Sequence, residues 1–394
     1  MNFVCFSFLS PPSGDAESAC VGRFLSALAE DGHTVHLVSL EHLRQIDESV
    51  EKELLSEKII ITRVPIKRTT LLEKWVPRFK YALFGIGAEY IQESCVVLSA
   101  TLAKYESPVL LTRAAFPVSN VIGWHCRQHA ALWIAHFSDP YPTYSRNDFS
   151  YWIKKMLWRY PFDYLWCWRI LRDADQITVT AQRAKRYFNK ISFFRFQNKI
   201  NVLYHIGLPR LVSGGYSIER SCGNPCVVAH VGHLMAGRHP KYIVDSFLQA
   251  PSNVVFHQYG VSDVRLPAST RFRTFSLNGP RMATDAMATA DALIVSDLKS
   301  NFGYCPYLTS KFAYALALNI PVICISDADS EVADFSKKYE GVYFADYKDK
   351  GALVSILELL SDGKLLPPEE ELISLFKPRS VLDVFYGVLG KSAK

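Results

Sequence analysis

Residues 290–325 read ADALIVSDLKSNFGYCPYLTSKFAYALALNIPVICI. Ala292–Val295 and Val322–Ile325 are short, uninterrupted apolar runs, the pattern of strands buried on both faces of a parallel sheet. A loop and a helical stretch, 310–318, lie between them, so the segment is a strand, loop, helix and strand. Upstream, Val227–Val231 and Val254–His257 repeat the strand pattern, and helices are expected over 240–249, 281–290 and 351–361. The opening of the chain alternates in the same way. Val4–Leu9 is an apolar run ended by Pro11-Pro12-Ser13-Gly14. Ala19, Phe24, Leu25, Leu28 and Ala29 then fall near one helical face, Gly32 closes that helix, and Val35–Leu40 is the next strand. Further strands are expected at Ile59–Val64, Val109–Thr112, Trp133–Phe137, Ile177–Val179 and Asn201–Tyr204.

Between the two alternating regions, residues 208–225 (LPRLVSGGYSIERSCGNP) are rich in Gly, Ser and Pro and lack periodicity, which marks a linker. The expected architecture is α/β, with two Rossmann-like doubly wound domains facing each other across a cleft. The first spans 1–207 and the second 226–378, and a last helix within 379–394 is placed to cross back to the first domain. In open α/β sheets ligands sit beyond the carboxyl ends of the strands, so the loops that follow the strands are where chemistry is sought.

With 394 residues, 49% hydrophobic and 21% charged, the composition excludes disordered, collagen-like and coiled-coil chains. No run of 18 apolar residues offers a membrane span, and the start lacks the basic region of a signal peptide. Nine cysteines without paired spacing suggest reduced thiols in a cytoplasmic setting. Cys222-Gly-Asn-Pro-Cys226 has no matching second pair, so no zinc is expected. The net charge of +6 is unevenly spread. Residues 1–210 carry 26 Lys/Arg against 19 Asp/Glu, the remainder carries 18 against 19, and all seven tryptophans lie in the first part. That asymmetry points to an anionic partner for the first domain. Residues 151–172 combine five Lys/Arg, one Asp and four Trp, and residues 67–80 form a second basic and aromatic stretch. Both read as peripheral contacts with an anionic membrane surface on its cytoplasmic face. The competing reading is that the tryptophans fill the domain's core. No nucleic-acid partner is expected.

Several common signatures are missing. There is no Walker sequence, no GxSxG and no HExxH, and Gly85-Ile-Gly87 lacks the third glycine of a dinucleotide fingerprint. In His230-Val-Gly-His233 a strand runs into a loop, where local hydrogen bonding competes with metal ligation. Two other loops hold a pattern with a chemical use. Thr309-Ser310-Lys311 starts a helix directly after a strand-to-helix loop, so backbone N–H groups, the helix dipole and an ammonium converge in a way that suits phosphate. Arg238, in the post-strand loop Gly232–Pro240, is placed to clamp a diphosphate from the opposite side. Read alone, Ser310 is a helix cap and Lys311 a solvated cation.

Taken together, these segments resemble the donor half of GT-B fold glycosyltransferases, family 4 and its bacterial polysaccharide-type branch in particular. Gly232-His-Leu-Met-Ala-Gly-Arg-His-Pro240 is similar to the branch's G-x-L-x-x-x-R-x-P loop. TSKFAYALALNIP, 309–321, is similar to its P-S-K-L-F-E-Y-L-A-A-G-K-P, with matches at Ser310, Lys311, Leu316, Ala317 and Pro321. In the first domain, residues 8–40 resemble the family's opening, WIAHFSDPY (133–141) its W-I-A-D-F-R-D-P-W, and ILRDADQITVTA (170–181) its V-L-x-x-A-D-x-I-T-x-V-S. The resemblance implies a retaining transferase that moves a sugar from a nucleoside diphosphate to a hydroxyl of a glycan, lipid-linked in this branch, with no metal or other cofactor. Donor contacts are then expected from Gly14, Gly232, His233, Arg238, Thr309, Ser310, Lys311 and Tyr314. Asp139 and His136 are expected at the catalytic centre, and Arg113 and Ser119 on the acceptor side. The chain departs from the pattern where the family places two glutamates, here Pro306 and Tyr314. His233 replaces an arginine, Asn319 a glycine, and His136-Phe-Ser-Asp139 stands for D-F-R-D. Tyr314 offers a ribose one hydroxyl where the glutamate offers two acceptor oxygens. Loss of both glutamates motivates an alternative, a catalytically degenerate subunit that binds a glycan or scaffolds a partner; a nucleotide-sugar epimerase on the same fold is a third reading.

Overall fold

The computed structural model describes residues 1–13, 15–41, 51–52, 54–65, 83–84, 89–114, 117–142, 160–207, 225–277, 279–300 and 302–392. The chain divides into two compact units, Met1–Tyr204 with Leu382–Lys394, and His205–Val381. Residues 208–224, all but the last of the expected linker, and Gly85-Ile-Gly87 lie outside the described residues.

The first unit is built on a parallel sheet in the order β3-β2-β1-β4-β5-β6-β7. Its strands are β1 (Asn2–Ser7), β2 (Thr34–Leu40), β3 (Ile60–Val64), β4 (Val109–Ala114), β5 (Leu132–Phe137), β6 (Gln176–Val179) and β7 (Ile200–Val202). The second unit has six parallel strands in the order β10-β9-β8-β11-β12-β13. They are β8 (Cys226–Val231), β9 (Val254–Tyr259), β10 (Phe272–Phe275), β11 (Ala292–Ser296), β12 (Val322–Ser326) and β13 (Val342–Asp346). Both sheets are flanked by helices, as the alternation of the sequence requires.

Every strand expected from an apolar run is present. The two the sequence does not announce, β10 and β13, are the edges of the second sheet, where Arg273 and Thr274 face water. An edge strand is covered on one side only, so it does not read as an apolar run. The helix Glu331–Lys338 is likewise not announced by periodicity. Its ends specify it: the Ser330 hydroxyl accepts from Ala333 N–H, with Glu331 and Asp334 in the first turn and Lys337 and Lys338 in the last.

The order of strands reverses between β1 and β4 in one sheet and between β8 and β11 in the other. At such a point the following loops run off in opposite directions and leave a crevice. In the second unit the crevice is opened further. The pairing of β11 with β8 stops at Leu293 opposite Ala229, short of both carboxyl ends.

The C-terminal helix Pro378–Ser392 ends on the first unit. Phe385 is buried edge-on against Phe24 at 5.1 Å and tilted against Phe3 at 5.9 Å, and the Tyr386 hydroxyl bonds His33 Nε2 at 2.9 Å. Phe385→Ala leaves a cavity between these rings, which costs about 3–5 kcal/mol. We expect a matching drop in the urea midpoint of the first unit, followed by far-ultraviolet circular dichroism. An unchanged midpoint would show that the helix adds nothing to that core.

Candidate functional site

In the second unit, β8 delivers the chain to Gly232, which has a left-handed φ of +102°. A Cβ there would stand 2.9 Å from Lys311 Cε and 3.2 Å from its Nζ, so the lysine lies directly on the glycine backbone. Two expected donor residues, 79 positions apart, are thus in contact. Arg238 is held nearby by the end of β11: its guanidinium donates to the Ser296 carbonyl at 3.1 Å, and the Ser296 hydroxyl donates to the Arg238 carbonyl at 2.7 Å. Burial, with the Arg238 charge adding to it and Asp297 opposing both, lowers the Lys311 ammonium to about 7.

Three residues of this cluster were not anticipated. Asp297 directly follows β11, is buried, and accepts the Ser326 hydroxyl at 2.8 Å. Burial raises its carboxyl to about 6 against the pull of that bond and of Arg238. Gln258, on β9, donates to the Gly232 carbonyl at 2.7 Å, and its Oε1 faces His230 Nδ1 at 2.8 Å. Since Gln258 accepts there, His230 carries its proton on Nδ1, and burial together with the Lys311 charge keeps the ring neutral. Gly260 completes the loop, with a left-handed φ of +108° and a would-be Cβ only 3.0 Å from the Gly232 carbonyl oxygen. An aspartate ending a strand was the one available hint for Asp297; Gln258 and Gly260 left no signal of their own, and His230 stood out only as a strand-end histidine suited to local hydrogen bonding.

The helix Ser310–Ala317 starts at Thr309, which makes no side-chain capping bond. Thr309 Oγ1 and His230 Nε2 are buried and have no hydrogen-bond partner, an arrangement that a ligand's polar atoms would relieve. Ser310 is buried in the first turn. Tyr314 is only 7% exposed, within the same helix. His233 is exposed and bonds Asp263 at 2.6 Å, and Asp263 also accepts the Ala236 N–H at 3.0 Å. Both histidines of His230-Val-Gly-His233 are therefore engaged in local hydrogen bonds.

In the first unit the structure brings Arg113 and His136 together. The Arg113 guanidinium donates to His136 Nε2 at 3.2 Å, so His136 carries its proton on Nδ1 and donates to the Thr178 hydroxyl at 2.9 Å. All three are buried, the guanidinium lies 4.7 Å over the Phe24 ring, and Arg113 Nε has no partner. In this geometry His136 orients Arg113. Asp139 is the exposed carboxylate at the end of the same strand, two residues beyond β5. Ser138 between them donates to Glu17 at 2.6 Å. Ser119 is fully buried and accepts the Phe8 N–H at 2.9 Å, which ties its helix to the end of β1. Gly14 lies outside the described residues.

Of the two basic and aromatic stretches, residues 67–80 and 151–159 also lie outside them. The described part, within the helix Tyr160–Asp173, turns its large rings inward. Trp166 is buried on Trp124 at 5.4 Å, Trp168 packs on Phe196 at 5.3 Å, and Arg169 lies over Trp166 at 4.9 Å. Among the described residues no helix is long and apolar enough to cross a membrane.

No protein-family model matches the sequence, and no curated protein matches it significantly. Solved structures match in fold. HepE of Anabaena, solved with UDP and glucose, is 12% identical across 99% of this chain and 100% of that one, with a TM-score of 0.67. A TarM variant of S. aureus, solved with fondaparinux, α-GlcNAc-glycerol and UDP, is 9% identical across 98% and 99%, also at 0.67. WaaG, a glycosyltransferase involved in lipopolysaccharide biosynthesis, is 14% identical across 92% and 93%, at 0.55. The chain thus has the α/β, two-domain Rossmann-like fold of GT-B glycosyltransferases.

If an anion binds beside Lys311, the lowered ammonium would make that binding pH-dependent. A bound phosphate raises the lysine's affinity for its proton. Below about pH 7 the ammonium is already charged, whereas above it binding must take up a proton, so affinity falls as pH rises. For a nucleoside diphosphate, whose terminal phosphate titrates at about 6, we expect a loss of up to about tenfold per pH unit between pH 7 and 9. Calorimetry in buffers of different ionisation enthalpy should register the proton uptake, and Lys311→Met should abolish it. A flat affinity in the unaltered protein would show that Lys311 does not meet the phosphate.

Proposed function

We propose that this protein is a nucleotide-sugar-dependent glycosyltransferase of the family 4 type. It would move a sugar from a nucleoside diphosphate to a hydroxyl of a lipid-linked glycan, with retention and without a metal, at the cytoplasmic face of a membrane. One observation carries this reading. Lys311, Arg238, the Gly232 backbone and the helix start at Thr309 meet where the order of the second sheet reverses. UDP is the first nucleotide to test, because it is bound in both HepE and TarM.

The chemistry follows from where charge develops. As the bond between the anomeric carbon and the diphosphate oxygen breaks, its electron pair stays on the phosphate. Two cations facing that oxygen stabilise the departing group, and the low-dielectric surroundings strengthen their effect. The acceptor hydroxyl then bonds the anomeric carbon from the same face and passes its proton to the leaving phosphate oxygen, so no covalent enzyme intermediate is needed. Asp139, exposed just beyond β5, would act at the acceptor side, where Arg113 is bonded to His136.

A second reading, a degenerate glycan-binding or scaffold subunit, draws on Pro306 and Tyr314 standing where the family has glutamates. A panel of nucleotide sugars, incubated with the protein and glycan acceptors and followed by nucleotide release, separates the two. Turnover with one donor is the expected result. Tight nucleotide binding without release on any acceptor would favour the scaffold. Lys311→Ala removes one charge-assisted contact of about 2–3 kcal/mol, so nucleoside diphosphate should bind roughly 30- to 150-fold more weakly. Binding of the nucleoside alone should stay the same; equal losses for both ligands would trace the effect to a disturbed fold.

A further inference from the structure

Residues 182–199 carry six Lys/Arg and no Asp or Glu. The first part is the helix Gln182–Ile191, which buries Ala184, Tyr187 and Phe188 and leaves Arg186 and Lys190 exposed. At its end Phe193 and Phe194 adopt left-handed φ values of 51° and 60°. That region is costly for bulky side chains and is normally left to Gly or Asn. Here it is enforced. Phe193 N–H donates to the Lys190 carbonyl at 3.2 Å, Phe194 N–H to the Asn189 carbonyl at 2.7 Å, and Arg195 N–H to the Ser192 carbonyl at 3.1 Å. Just beyond, Phe196 is buried on Trp168 and Arg195 lies over the same indole at 5.5 Å. The turn is therefore anchored on both sides while its two phenylalanines project, 82% and 55% exposed.

We infer that Phe193 and Phe194, flanked by Arg186, Lys190 and Arg195, form a docking tip for an anionic lipid surface. Two adjacent apolar residues on a strained turn, 82% and 55% exposed, leave most of their surface in water. They match a phase in which apolar rings lie below a plane of phosphates, and the surrounding cations match that plane. A carboxylate would repel anionic lipid, and the segment has none. This inference rests on the membrane reading given above, and it assigns the contact to this turn instead of the helix Tyr160–Asp173, whose described tryptophans pack inward.

The test is co-sedimentation of the full chain with phosphatidylcholine vesicles and with phosphatidylcholine–phosphatidylserine vesicles, at low and high salt. Phe193→Asn with Phe194→Asn suits the left-handed backbone, so this variant should keep or raise the thermal midpoint. We expect it to bind the anionic vesicles about tenfold more weakly or worse. Arg186→Gln with Lys190→Gln should cost roughly fivefold per charge and lose its effect in high salt. UDP affinity should stay unchanged in both variants. If the asparagine variant bound vesicles as the unaltered protein does, the docking tip would be wrong and the membrane reading would stand. If the unaltered protein bound neither vesicle, both would fall. Preference for a single-stranded oligonucleotide over anionic vesicles would also overturn the proposal.

Discussion

Lys311 lies against the backbone of Gly232, with the Arg238 guanidinium among its neighbours and the buried Asp297 carboxyl as its counter-charge. Burial strips water from the ammonium, and a like charge stands close by, so two separate effects disfavour the charged form. An anion between the two cations would reverse both. Other features of the second unit follow from keeping that space open. Gly232 must lack a Cβ because the lysine occupies its place, and Gly260 must lack one because the Gly232 carbonyl does. Gln258 bonds the same carbonyl and is itself held by His230. The short pairing of β8 with β11 lets Arg238 reach the Ser296 carbonyl at the strand end.

The polar cluster of the first unit is of a different kind. Arg113, His136 and Thr178 form a buried hydrogen-bonded chain beside a cavity of about 10 Å³, lined also by Phe24, Leu203 and Phe385. That is room for about one water molecule and no more. A guanidinium over an aromatic ring, with a neutral imidazole as acceptor, is held rigidly with little exchange with solvent. Such a cluster is suited to setting the position and field of the strand ends. Of the residues just beyond these strand ends, Asp139 is exposed.

The basic excess of the first 210 residues also acquires a location. Part of it is spent on structure, with Arg127 over Trp124, Arg169 over Trp166 and Lys199 donating to the Arg172 and Ala174 carbonyls. Arg186 and Lys190 of the helix Gln182–Ile191 and Arg195 of the turn that follows are among the exposed cations. Charge counted along a sequence therefore overstates what a partner meets, because cations over indoles and at carbonyls are already engaged.

The amino-acid sequence by itself determined the two-unit α/β architecture. Strands buried on both faces must be apolar throughout, and that requirement shows in Ala292–Val295 or Val322–Ile325 without any knowledge of their neighbours. It also marked Arg238 and Lys311 as candidates, because phosphate chemistry calls for backbone N–H groups and cations just after strands, while Gly232 was marked by the family resemblance of its loop. The edge strands β10 and β13 stayed hidden, since Arg273 and Thr274 of the one face water and three of the five residues of the other are only half-buried. Asp297, Gln258 and His230 could be placed only by the tertiary structure, because their roles come from contacts across the sheet and from burial, neither of which leaves a mark on spacing along the chain. The same holds for the tryptophans and the Phe193–Phe194 turn. An aromatic residue reads alike in a core and at a surface, and only packing decides which side of the boundary it occupies.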